Sequence, residues 1–314
     1  MSEAKHGNRN MPGLASRAGS LLVAPHDLRA RVEYLAGKIT ERHVLRMDAL
    51  DASREYIEAE WRAQGYSVNR QWYEAGGRQC ANLEIEQPGG ARRNEFLVIG
   101  AHYDTVPGSP GANDNGSGVA ALLEISRLFR DAEPSMTVRF VAFVNEEPPF
   151  SFSPLQGSYV SARAARERGD DIRLMVALET IGFYSDEPGS QHYPPLFRLF
   201  YPSAGNFIGF VSDFRSGRMM RRLARAFRAN SDFPLEHAAT FRSIPGVSWS
   251  DHWSFWEHGY RAIMVTDTAF YRYAYYHTSE DTPEKLAYPQ FARATDGLFR
   301  CFAAFAGAGG GMGE

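Results

Sequence analysis

The chain holds 314 residues, 44% hydrophobic and 23% charged, with a formal net charge of −3; this is ordinary globular composition, without the basic excess of a phosphate-backbone binder, and argues against nucleic acid as a partner. Two cysteines, Cys80 and Cys301, cannot staple a chain of this length and suit a reducing compartment. No apolar run approaches the roughly 18 to 20 residues of a spanning helix, and the apolar stretch 21–24 is too short for a signal-peptide core, so a cytoplasmic protein with no membrane contact is expected.

Residues 1–20 and 307–314 lack periodic apolar positions and read as disordered tails, leaving 21–306 as one domain without linker, charge block or internal repeat. Segments 27–38 and 51–65 read as amphipathic helices, the second carrying Tyr56, Ile57 and Trp61 at helical spacing and stopping at Gly65. Strand-like runs follow at 80–85, 96–100, 137–144, 174–178, 207–211 and 262–265. Several are continuously apolar, as strands covered on both faces are. Helical stretches at 119–130, 157–168, 217–229, 253–258 and 283–306 alternate with them. The alternation predicts an α/β fold, a three-layer α/β/α sandwich around a mixed, mostly parallel sheet. Segment 80–85 is expected to pair antiparallel with its neighbour, since only a short turn with Gly89 and Gly90 precedes Phe96. Two aromatic loops, 147–155 and 183–206, break the rhythm. Their Phe150, Phe152, Phe183, Tyr184, Tyr193 and Phe197 either wall a side-chain pocket or cover core or a subunit contact.

Acids and imidazoles stand where buried strands end. FLVIGA leads into His102-Tyr103-Asp104, VRFVAFVN into Glu146-Glu147, LMVAL into Glu179, and AIMVTDT, after an aromatic stretch, into His277. Ligands of open α/β sheets bind beyond the carboxyl ends of strands. Asp114 sits in the Gly-rich segment GSPGANDNGSG before the helix at 119. A lone His after a strand is ordinarily structural, and a lone Asp in such a loop is ordinarily a turn residue or cap. The adjacent carboxylates of Glu146 and Glu147 are harder to explain without a cation. Together His102, Asp114, Glu147, Glu179 and His277 offer two imidazoles and three carboxylates, a donor set for two divalent metal ions sharing Asp114. Zinc accepts both atom types, and no sulfur is offered. Glu146, outside that set, is placed to take a proton from water between the ions. Asp104, two residues past His102 on an extended chain, faces the same side and can hold the ring's other N–H.

These residues look familiar as a series. HYD (102–104), GANDNGSG (111–118), NEE (145–147), LETIG (178–182) and HTSEDT (277–282) resemble, in order, the motifs of the co-catalytic dizinc aminopeptidase family, whose relatives include glutamate carboxypeptidase, transferrin receptor and glutaminyl cyclase. The resemblance covers about residues 80–300 and implies a zinc exopeptidase-like fold. It also implies that His102 and Glu179 bind one zinc, Glu147 and His277 the other, and Asp114 both, with Glu146 as general base and Asp104 orienting His102. Family members often carry Asp where this chain has Glu179, and the bond after the bridging Asp is commonly cis, so Asp114–Asn115 is expected cis. Segment 247–260, VSWSDHWSFWEHGY, also resembles a family element. It makes Asp251 and His252 candidates for the surroundings of the ligands or for the substrate side, the alternative being a polar turn with Asp251 as helix cap. The activity implied is that of an aminopeptidase acting on short peptides. The alternatives are a glutaminyl cyclase-like acyl transfer on a single zinc and a catalytically inactive binding module. The sequence sets no oligomeric state.

Overall fold

The computed structural model describes residues 21–194 and 197–308; the segments 1–20 and 309–314 lie outside the described residues, whereas Gly307 and Ala308, expected in the C-terminal tail, cap the last helix and pack in the core. Among the described residues there are eight strands: β1 (Asn69–Ala75), β2 (Arg78–Gln87), β3 (Arg92–His102), β4 (Met136–Phe143), β5 (Asp171–Glu179), β6 (Ile208–Asp213), β7 (Leu235–Thr240) and β8 (Ala262–Thr266). The helices are α1 (Pro25–Val32), which continues as a π-helix over Glu33–Ile39, α2 (Met47–Ala63), α3 (Gly118–Phe129), α4 (Gly157–Arg168), α5 (Gly217–Asn230), α6 (His252–Glu257) and α7 (Tyr288–Ala306). Among the described residues no helix is long and apolar enough to cross a membrane.

The strands form one sheet in the order β1-β2-β4-β3-β5-β8-β6-β7. The inner strands β4, β3, β5 and β8 run parallel, while β2 is antiparallel to β4 and β6 to β8. Strand β4 is buried along its whole length, as a largely apolar strand covered on both sides is, and its one charged residue, Arg139, is paired with Glu86 and Asp170. One face carries α1, α2, α3, α5 and α7 over Leu97, Ile99, Val138, Phe140 and Val176. The other carries α4 and α6 over Val98, Val141, Met175 and Ala177. The three-layer mixed sandwich expected from the sequence is the observed fold.

Three expectations need correction. Strand β2 does run antiparallel, but its partners are β1 and β4, and β4 lies between β2 and β3. The short turn after β2 therefore feeds a strand one position further along the sheet. Strands β1 and β7 had no counterpart in the sequence reading. Both lie at sheet edges and are polar or mixed in sequence, because an edge faces water and does not need the apolar run of a buried strand. The last helix begins at Tyr288, after a separate 3₁₀ turn at Pro283–Lys285.

Where β3 pairs with β4 near the carboxyl edge, the Phe143 ring leaves no room for a side chain at Gly100. A Cβ there would enter the ring of Phe143, which is fully buried and packs edge-on against Phe255 of α6 at 6.2 Å between centroids. Gly100→Ala is expected to lower stability by about 1–3 kcal/mol through overpacking, read as a lower urea midpoint at unchanged slope.

Candidate active site

The parallel register brings the carboxyl ends of β3, β4, β5 and β8 to one edge: His102 pairs with Phe143 and Glu179 with Thr266. Beyond these ends the chain turns sharply. Asn145, Thr180 and His277 hold φ of 61°, 44° and 59°, the left-handed region. For non-glycine residues, and most of all for β-branched Thr180, such backbone costs of order 1–3 kcal/mol and persists where the surroundings over-determine it.

The glycine-rich segment that carries Asp114 is tied to the ends of β5 and β8. Asn115 donates to the Leu178 carbonyl (2.8 Å), and its Oδ1 accepts from the amides of Gly118 and Thr180 (both 3.1 Å). Asn113 Oδ1 accepts from Gly182 N (2.9 Å), and its Nδ2 donates to Asp267 (2.9 Å). Gly118 packs against the Leu178 carbonyl so closely that a Cβ would collide with it, and Gly111 turns with φ of 66°. The Asp114–Asn115 bond is cis, as the resemblance implied.

Two residues with no assigned role in the sequence reading hold this loop. The Asp281 carboxylate accepts from the amides of Asn113 (2.8 Å) and Asp114 (3.0 Å) and from the Tyr273 hydroxyl (2.8 Å). Arg42, fully buried, donates to the carbonyls of Tyr103 (2.8 Å), Thr40 (2.8 Å), Pro110 (2.7 Å) and Gly111 (3.1 Å). Burial brings its guanidinium down to about 10, offset by Asp281, Asp104 and Asp114. Asp281 lay within the quoted HTSEDT run. Arg42 left no signal in sequence, since its partners are main-chain carbonyls from distant segments.

Asp114 then faces two imidazoles. Its Oδ1 lies 3.3 Å from His102 Nε2 and its Oδ2 3.0 Å from His277 Nε2. Glu179 Oε2 lies 3.4 Å from His102 Nε2, and Glu147 Oε1 3.3 Å from His277 Nε2. Two His–carboxylate pairs thus flank one shared carboxylate. Glu146 Oε2 is 4.0 Å from His102 Nε2. His102 Nε2 and both Asp114 oxygens are buried without a hydrogen-bond partner, a costly condition unless a ligand supplies the missing interaction. His102, Asp114 and Glu147 each offer a donor atom within 4.8 Å of the others. The donor types and these orphaned atoms fit divalent cations.

The charge balance agrees. Burial pushes the Glu146 carboxyl well up; His102 opposes the shift and Glu147, Glu179 and Asp251 add to it. Glu147 is raised to about 7 by burial and by Asp114, against the pull of His277. Burial opposes charging of His277, but Asp114 and Glu147 outweigh it and hold the ring at about 10. Burial would likewise raise Asp114, yet His102 and His277 keep it well below the usual carboxylate range. Four carboxyls against two imidazoles leave an excess of negative charge that cations would neutralise.

A family model described as "Peptidase family M28" matches residues 82–301. The chain belongs to peptidase family M28. It is 38% identical over 285 residues to the uncharacterized protein YfbL of Escherichia coli, covering 88% of this chain and 87% of that protein. In fold it is similar to BSAP, a zinc aminopeptidase from Bacillus subtilis, with a TM-score of 0.71 at 14% identity over 93% of this chain and 97% of that one. It is also similar to a Fimbriiglobus ruber glutaminyl cyclase, with a TM-score of 0.67 at 18% identity over 96% and 99%.

The remaining candidates take distinct places around these groups. His102 Nδ1 lies 3.1 Å from the main-chain carbonyl of Asp104, while the Asp104 carboxylate is 3.6 Å away. That carboxylate also accepts from the amides of Glu146 (3.1 Å) and Glu147 (3.2 Å) and so fixes the turn carrying both. Asp251 is at the helix N-cap position, but its side chain makes no capping bond and both its oxygens are buried without partners. Its neighbour Ser250 donates to Glu179 Oε2 at 2.8 Å. His252 does not join the acid group: its Nε2 lies 2.8 Å from the Val247 carbonyl and its ring packs on Trp256. Of the aromatic candidates, Tyr193 and Phe197 line a cleft beside Glu179. Phe150 and Tyr184 are core residues, and Phe183 packs on Tyr273. The exposed Phe152 leans on Trp253.

Asp281→Asn is expected to weaken zinc binding about 10- to 100-fold by loosening the Asp114 loop, measured by competition with a chromogenic chelator. Burial holds His252 down at about 4 against an ordinary 6.5. The unfolded chain takes up a proton below pH 6.5 that the folded chain refuses, so stability falls as pH drops from 6.5 towards 4. His252→Gln is expected to flatten that slope by up to about 1.4 kcal/mol per pH unit in unfolding titrations.

Proposed function

We propose that this chain is a metal-dependent exopeptidase, an aminopeptidase that removes the first residue of short peptides, with two divalent cations and with Glu146 as general base. The observation that carries the reading is Asp114, whose two buried oxygens have no hydrogen-bond partner and face two separate His–Glu pairs, His102 with Glu179 and His277 with Glu147. Membership of peptidase family M28 and the likeness to a zinc aminopeptidase support it. His102, Asp114 and Glu179 would hold one cation, and His277, Asp114 and Glu147 the other. When bound, such cations supply Lewis acidity, acidifying water and stabilising the charge that develops on the attacked carbonyl oxygen.

The chain's own groups carry the proton. Glu146, outside the donor set and 13% exposed in its side chain, accepts at Oε2 the proton of the water that attacks the carbonyl carbon. It returns that proton to the leaving amine nitrogen as the C–N bond breaks. Asp104 keeps the Glu146 and Glu147 carboxyls apart in direction by holding both amides. Ser250 fixes one oxygen of Glu179, and Tyr276 stacks on the His277 ring with 3.9 Å between centroids.

Elemental analysis of active protein is expected to find two metal ions per chain, and hydrolysis of aminoacyl 4-nitroanilides is expected to stop with chelator. Glu146→Gln should lower kcat by about 10² to 10⁴ while metal content stays. Full activity in that variant would remove Glu146 from the role. One ion per active chain, with cyclisation of N-terminal glutamine, would favour the acyl-transfer reading.

A further inference from the structure

The cleft beside Glu179, about 840 Å³ out to its open mouth, is lined almost wholly by apolar and aromatic groups, among them Tyr193, Phe197, Tyr201, Trp249 and Phe270. It contains no lysine or arginine among the described residues, and apart from Glu179 its one carboxylate is Glu236. Among the described residues Glu236 makes no salt bridge or hydrogen bond to any side chain. Of the basic side chains that act on it, Arg228 is engaged with the Leu235 carbonyl at 2.9 Å. The Glu236 carboxyl is half-buried among tyrosines, and burial pushes it up. A carboxylate kept unpaired in an apolar cleft is a cost that something else must offset.

The sheet register says what that carboxylate can reach. Glu179 pairs with Thr266, Thr266 with Gly209, and Gly209 with Glu236. Residues directly opposite in neighbouring strands share a face, so these four form one row across β5, β8, β6 and β7. Three strand spacings of about 4.8 Å separate the ends of the row by roughly 14 Å. In the middle stands Gly209, which adds no side chain to the floor. Glu236 is therefore too far from the proposed cations to hold a substrate's α-amine, which lies two bonds from the attacked carbon. An extended side chain of about 7 Å, laid over Gly209 from a residue seated at Glu179, covers about half of that row; a glutamate side chain of about 4 Å leaning back along it and an ion-pair distance of about 3 Å make up the rest.

Resting on the aminopeptidase reading above, we propose that Glu236 makes this cleft a pocket for a cationic first residue, arginine or lysine, whose charged end pairs with the Glu236 carboxylate. The aromatic walls take the hydrocarbon stem and the face of the cation, and the carboxylate at the far end selects charge.

The test uses the metal-loaded protein and substrate pairs of similar shape of which one member is cationic and the other neutral: arginine against citrulline 4-nitroanilide, and lysine against norleucine 4-nitroanilide. The cationic member of each pair is expected to have the higher kcat/KM by about tenfold or more, with the ratio collapsing towards one in Glu236→Gln. L-argininamide should also raise the thermal midpoint more than L-citrullinamide in the wild type, and not in Glu236→Gln. Hydrolysis of citrulline and arginine substrates at equal rates, or a ratio that survives Glu236→Gln, overturns the proposal. If no amide is hydrolysed but the thermal preference holds, the cation pocket stands and the aminopeptidase reading falls.

Discussion

The structure depends on one carboxylate held with both oxygens free inside the protein. Asp114 is buried, faces an imidazole on each side and has no hydrogen-bond donor of its own. Left alone in a low-dielectric interior, such a group would turn towards any available amide or take up a proton. It does not turn because its loop is held from behind, and it stays ionised because His102 and His277 face it. Asp281 takes the amides of Asn113 and Asp114, Arg42 gathers the carbonyls before the loop, and Asn113 and Asn115 anchor it to the ends of β5 and β8. The polar groups around the site thus divide into those that are satisfied and rigid and those that are left unsatisfied and aimed inward.

That division explains where the molecule concentrates strain. The left-handed residues Asn145, Thr180 and His277 sit at the turns that deliver Glu146, Glu147, Glu179 and the second imidazole. The packed sheet beneath, with β4 buried throughout and Phe143 against Phe255, resists relaxation of those turns.

The sheet also gives the crevice two unlike ends. Over β3, β4 and β5 the carboxyl edge is crowded with acids and imidazoles. Past β8, where β6 reverses direction, the face is no longer covered by α4 and α6, and aromatic loops wall an apolar cleft with Glu236 in its floor. The reactive groups and the cleft are joined by a row of four paired residues, so the same register that builds the sheet sets the distance between them.

Much of this was legible in the sequence. Continuous apolar runs located the buried strands because a strand covered on both faces must be apolar throughout. The strand-end rule then put His102, Glu146, Glu147 and Glu179 at one edge. Tertiary structure alone decided the rest. The edge strands β1 and β7 carry no apolar signature because water covers their outer side. The insertion of β4 between β2 and β3 follows from non-local pairing that no turn length encodes. The engagement of the Asp104 carboxylate with two amides, the turning of His252 away from the acids, and the alignment of Glu236 with Glu179 each depend on how separate segments meet. Local sequence fixes which way a residue leaves its own strand or helix; what it meets there is set by the packing of segments that are remote along the chain.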